Sequence, residues 1–159
     1  MTMPAGEGDA RHRAASTAKV RGSGLYEAGN FAQAVKCFNE AISVAAPNDP
    51  DLHLYHSNRC AARLQLNDLP GATSDAERCT QLAPAWSKGW SRLGNCLTRD
   101  PTQLARAKQS LEKAVRLGNA EAKPALEDLK RRMAAEGGGG GGGGGGWGDW
   151  RTWFGGGGS

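Results

Sequence analysis

Three cations, an amide and a hydroxyl stand out for the spacing at which they occur. Lys19 and Ser23 are four residues apart, as are Lys88 and Arg92, and residues at i and i+4 share a face of an α-helix. Asn58 lies between the two pairs, in a stretch that also reads as helical. Lined up on one surface, these groups suit an extended peptide that ends in a free carboxylate next to an acidic side chain. Each charge-assisted hydrogen bond contributes on the order of 1.5–3 kcal/mol. Three or four of them, less the cost of ordering a flexible peptide, correspond to roughly micromolar affinity.

Other constellations are poorer. His53 and His56, at i and i+3, make a metal half-site with no third ligand placed near them. No Ser-His-Asp or Cys-His order, paired-carboxylate motif or phosphate loop occurs, and the glycine run 137–146 lacks the following Lys-Ser/Thr and helix of a phosphate cradle. Cysteines 37, 60, 79 and 96 form no CxxC pair, so neither a zinc site nor a redox motif is readable. Each falls in a helical segment and reads as a small buried thiol of a reducing compartment. The expectation is a binding module with no catalysis, metal or cofactor of its own.

Internal repetition supplies the elements that would position the five residues. Gly22, Cys60 and Gly94 mark one point in three similar segments, each followed after a short turn by an alanine, Ala34, Ala72 and Ala107. The spacings are 38 and 34 residues for the first set and 38 and 35 for the alanines. A period near 34 residues, with small side chains at matching points, signals stacked helix-turn-helix units. Ser16 or Thr17 caps a first helix running to about Ala28; Asn30 caps the second, which carries Phe31, Val35, Phe38 and Ile42 at helical spacing. The longer loop Ala46 to Pro50 accounts for the 38-residue interval. Helices follow from Asp51 to Leu66, Pro70 to Leu82 and Trp86 to Arg99, then one capped by Asp100-Pro101 and stopped by Gly118. Trp86 and Trp90 read as packing in the third unit, with Trp90 reaching toward the groove. A last helix, Asn119 to Ala135, sets Ala122, Leu126, Leu129 and Met133 on one face and Lys130, Arg131 and Arg132 on the other, as a solubilising cap requires.

Three stretches carry a closer resemblance. Lys19-Val-Arg-Gly22, Tyr55-His-Ser-Asn-Arg-Cys-Ala-Ala62 and Pro84-Ala-Trp-Ser-Lys-Gly-Trp-Ser-Arg92 resemble the inner helices of the carboxylate-clamp tetratricopeptide-repeat (TPR) domains of Hsp-organising, stress-inducible co-chaperones, which read KxxGN, YSNRxAA and PxWxKGYxR. The resemblance covers about residues 17 to 135. It implies an all-α, right-handed TPR solenoid over residues 16–135, with repeats at about 16–50, 51–83 and 84–118 and a capping helix at 119–135. Residues 1–15 are expected to be a flexible N-terminus. The implied partner is the C-terminal Glu-Glu-Val-Asp peptide of cytosolic heat-shock proteins 70 and 90. Lys19 and Asn58 would hold its terminal carboxylate, and Lys88 and Arg92 its aspartate side chain and backbone. Ser23 departs from the usual asparagine: a hydroxyl is shorter and has one donor, so its contact is water-bridged or lost, at about 1 kcal/mol. The alternatives are a TPR scaffold for a different partner and a fragment of a larger TPR-containing protein.

Composition divides the chain in two. Of its 24 glycines among 159 residues, 15 fall in the last 23 positions, and such a segment has no side chains to bury and much backbone entropy to lose. Residues 136–159 therefore read as a glycine-rich tail. Within it Trp147, Trp150, Trp153 and Phe154 form an aromatic motif that reads either as a docking peptide or membrane-surface anchor for an unknown partner, or as a disordered segment without function. The net charge of +4 is concentrated in residues 86–132, with 11 Lys+Arg against 5 Asp+Glu. This favours an anionic partner but is too diffuse for nucleic acid. No apolar h-region or membrane-spanning run occurs, and Glu7 and Asp9 argue against a transit peptide. A cytoplasmic protein is expected.

Overall fold

The computed structural model describes residues 6–137. The expectations for residues 1–5 and for positions 138–159 of the glycine-rich tail, with its tryptophans, lie outside the described residues, while Glu136 and Gly137 belong to the last helix rather than to the tail. Within them are seven α-helices and no strand: α1 (Glu7–Glu27), α2 (Phe31–Val44), α3 (Leu52–Gln65), α4 (Leu69–Leu82), α5 (Ser87–Leu97), α6 (Leu104–Arg116) and α7 (Ala122–Gly137). A single 3-10 turn, Pro101–Gln103, leads into α6. Asp68 caps α4 by accepting from the Gly71 amide at 3.0 Å, and Asp100 accepts from the Thr102 amide at 2.9 Å, so side-chain oxygens satisfy amides left free at helix starts.

The helices pack as three hairpins, α1 on α2, α3 on α4 and α5 on α6, stacked through α2–α3 and α4–α5 and closed by α7 on α6. The first helices of the hairpins form a row in which α1 touches α3 and α3 touches α5. Small residues set the closeness of each hairpin. A Cβ at Gly22 would stand 2.6 Å from Phe38 Cε1, and one at Gly94 would stand 2.6 Å from Leu111 Cγ. Cys60, at the matching point of the middle hairpin, is fully buried in a cluster with Ala72 and Ala76. Ala34, Ala72 and Ala107 are all fully buried.

The first helix differs from expectation. It begins at Glu7 rather than at Ser16 or Thr17, so residues 7–15 are helical rather than a flexible N-terminus. Glu7 and Asp9 in the first turn complement the positive end of the helix dipole. Arg11 donates from Nε to the Val44 carbonyl at 2.9 Å and from Nη2 to the Ala45 carbonyl at 3.1 Å, while His12 Nδ1 pairs with Asp49 at 3.1 Å. These contacts strap the extra turns to the end of α2 and the following loop. Thr17 lies inside the helix, its hydroxyl donating to the Arg13 carbonyl four residues back.

The cap departs in two details. α7 starts at Ala122, because Asn119–Glu121 are taken up in the turn in which the Asn119 amide donates to Ala114 O and the Ala122 amide to Asn119 O. Ala122, Leu126 and Leu129 are buried against α6, with Met133 partly so. Lys130 and Arg131 face solvent, but Arg132 turns inward, donating from Nη1 to the Thr98 carbonyl at 2.9 Å.

Candidate peptide-binding face

The five residues singled out by spacing occupy successive helices of the inner row. On α1, the buried stripe Ala15, Ala18 and Gly22 faces α2 and α3, and Lys19 and Ser23 flank it, half-buried. Asn58 is half-buried on α3, three residues after Tyr55 and four before Ala62, both fully buried. Lys88 is exposed in the first turn of α5. A cation there opposes the helix dipole, and α5 contains no acidic residue to offset it. Lys88 therefore does little for the helix and adds to a terminus that already favours anions.

Arg92 is half-buried on α5, one turn from both Gly89 and Cys96. Its charge acts on the thiols of Cys60, Cys79 and Cys96, which places the guanidinium among α3, α4 and α5. Arg92 Nε is buried and has no hydrogen-bond partner.

Across the rest of the described residues the half-buried cations are occupied. Arg11 is bound to carbonyls, Arg59 and Arg63 to Asp75, Lys108 to Glu112 and Arg132 to Glu136, and Lys113 lies 5.9 Å from the centre of the Trp90 ring. Lys19 and Arg92 are the exceptions among the half-buried lysines and arginines described, with no ion pair or side-chain hydrogen bond to either. Leaving a cation partly desolvated without an anion is unfavourable, and an added carboxylate would relieve the cost.

Neighbouring groups take other roles than the sequence suggests. Trp90 turns toward α6 rather than into the groove: its Nε1 donates to the Pro84 carbonyl at 2.8 Å and Lys113 of α6 covers its ring. Trp86 packs edge-on against His53, with ring centres 5.0 Å apart. His56 pairs through Nδ1 with Asp75 at 3.0 Å, so the two histidines are engaged by different partners.

Asp75 of α4 was not visible as a special position. It is buried, and its carboxylate receives bonds from Arg59 Nη2 at 2.6 Å and Arg63 Nη1 at 2.8 Å as well as from His56. Burial works against its ionisation most strongly, but the bonds from His56 and Arg59 and the charges of Arg59 and Arg63 outweigh it, holding the carboxyl below its ordinary value. The sequence signal is His56, Arg59 and Arg63 at i, i+3 and i+7, a cationic stripe along α3 that needs an acid opposite. Tyr55 Oη, like Arg92 Nε, is buried without a hydrogen-bond partner. Burial, with the nearby carboxylates of Asp49 and Asp51, raises its pKa to about 12.

No protein-family model matches the chain. It is 36% identical over 123 residues to the Hsp70-Hsp90 organizing protein of Triticum aestivum, an alignment covering 76% of this chain and 20% of that protein. The chain thus spans about a fifth of the length of the curated relatives it matches most strongly. Among solved structures, the Sgt2 TPR domain of Aspergillus fumigatus superposes with a TM-score of 0.71 at 28% identity, covering 86% of this chain and 93% of that one. The second TPR domain of the human RPAP3 protein, solved in complex with the HSP70 peptide SGPTIEEVD, superposes with a TM-score of 0.67 at 29% identity, covering 76% and 98%.

Proposed function

Starting from a chain that is an all-α tetratricopeptide-repeat domain similar to those of the Hsp70-Hsp90 organizing proteins, we propose that its inner row of helices binds the C-terminal Glu-Glu-Val-Asp peptide of heat-shock proteins 70 and 90 and serves as a chaperone adaptor. The observation that carries this reading is the pair of half-buried cations without a partner, Lys19 on α1 and Arg92 on α5. Lys19 and the Asn58 amide bind the terminal carboxylate. Lys88 and Arg92 bind the aspartate side chain and the peptide backbone, with Arg92 Nε supplying a donor that is otherwise unused. Ser23 contacts the peptide through water. No bond is made or broken in this role, so the domain acts without catalysis, in the cytoplasm where those chaperone tails are available.

The test is peptide capture by Lys88→Ala and Arg92→Ala variants, with helicity followed by circular dichroism. Loss of one charge-assisted contact, about 2 kcal/mol, weakens binding roughly thirtyfold at unchanged helicity. Undiminished binding in both variants would remove the assignment.

A further inference from the structure

Two thiols stand together in the core. Cys60 Sγ of α3 and Cys96 Sγ of α5 are 3.6 Å apart although 36 residues separate them in sequence, and both residues are fully buried. The other two cysteines are committed elsewhere. Cys79 donates its thiol proton to the His53 carbonyl at 2.9 Å, and Cys37 accepts from Arg21 Nε at 3.3 Å. We propose that Cys60 and Cys96 are a reversible oxidation site, at which a small peroxide joins α3 to α5 through a disulfide beside Arg92. This inference does not depend on the peptide that the domain binds.

The surroundings of the pair divide the labour between its two sulfurs. Either thiol can donate to the other; with the proton on Cys60, and with the charges of Arg92 and Arg99 nearby, the Cys96 thiol is held below its ordinary pKa. In that arrangement Cys60, deeply buried, is held well above it. Cys96, which the charges of both Arg92 and Arg99 reach while of the two only Arg92 acts on Cys60, is taken as the attacking thiolate. It attacks one oxygen of hydrogen peroxide, the O–O bond breaks, and the departing hydroxide takes a proton from solvent to become water, leaving a sulfenic acid on Cys96. The Cys60 sulfur then displaces the sulfenic hydroxyl, which leaves as a second water with the Cys60 proton, and the S–S bond forms. Two thiols lose two electrons and one peroxide is reduced to two waters.

A disulfide needs an S–S separation of about 2.05 Å, so the sulfurs must approach by roughly 1.5 Å from their observed contact. Burial restricts access to small oxidants during local opening of the hairpins, and the adjacent thiol traps the sulfenic acid before a larger thiol reaches it. A dithiol reductant restores the pair.

The experiment treats the full chain with a small excess of hydrogen peroxide, removes the peroxide with catalase, and alkylates under denaturing conditions. Intact mass and non-reducing peptide mapping follow. The expected product has lost two hydrogens, carries a Cys60–Cys96 cross-linked peptide, keeps Cys37 and Cys79 alkylated, and reverts with dithiothreitol. In Cys60→Ser, dimedone should instead label Cys96. Recovery of Cys60 and Cys96 as alkylated thiols from the wild-type chain, or cross-links spread equally over the other cysteines, would overturn the proposal without recourse to any variant.

Discussion

Arg59 of α3 grips Asp75 of α4 through two nitrogens, Nη2 at 2.6 Å from Oδ1 and Nε at 3.0 Å from Oδ2, and so ties the two helices of the middle hairpin together. The side chain of Asp75 is 2% exposed and that of Arg59 17%, so removing the acid strands a cation that has limited access to water. Asp75→Asn should destabilise the domain by about 2–3 kcal/mol in urea unfolding at pH 7, less than for a fully enclosed pair. A carboxyl held below its ordinary value favours the folded state above pH about 4 and loses that contribution as the pH falls through the folded-state value. The gap between wild type and variant should therefore narrow in strong acid; an equal gap at pH 7 and pH 2 would contradict the charge-based account.

Gly94 sets the approach of α5 to α6. An added methyl would meet Leu111 at Cγ and Cδ2, 2.6 and 2.7 Å away, and the Ala107 carbonyl at 3.3 Å. Leu111 is fully buried within a cluster of core side chains, so any shift that it makes presses on its neighbours. Gly94→Ala should lower stability by about 1–3 kcal/mol through overpacking, despite the better helix propensity of alanine. A stabilised variant in thermal unfolding would mean that the hairpin yields more readily than its packing implies.

Ser23 is half-buried one turn beyond Lys19 and has no side-chain partner among the described residues. Asparagine there restores the longer donor usual in clamp domains, and Ser23→Asn should tighten peptide binding about fivefold, or about 1 kcal/mol. Titration calorimetry decides it, since unchanged or weaker binding would take Ser23 out of the site.

The hairpins were legible because their closest contacts are written in residue size. Gly22, Cys60 and Gly94 recur at the repeat period, and the structure buries all three at helix crossings. That Lys19, Lys88 and Arg92 have no acid at helical spacing could be read directly, but Arg59 and Arg63 share that pattern on α3 and are paired with Asp75 of α4, so which cations lack a partner emerges only when the helices stack. What stayed hidden depends on distant chain. The early start of α1 rests on Arg11 and His12 meeting residues 44–49, across a loop whose path no local pattern sets. The fixing of Trp90 toward α6 rests on Lys113 and the Pro84 carbonyl. Asp75 and the Cys60–Cys96 pair likewise acquire their character only when neighbouring helices stack.

The clamp reading stands or falls on the free carboxylate of the ligand. Titration calorimetry should compare a peptide ending in Glu-Glu-Val-Asp with the same peptide amidated at its C-terminus. Amidation removes the charge that Lys19 and Asn58 are proposed to hold, and binding should weaken at least tenfold, about 1.4 kcal/mol or more. Equal affinity for the acid and the amide would contradict the clamp and leave the inner face as a scaffold for a different partner.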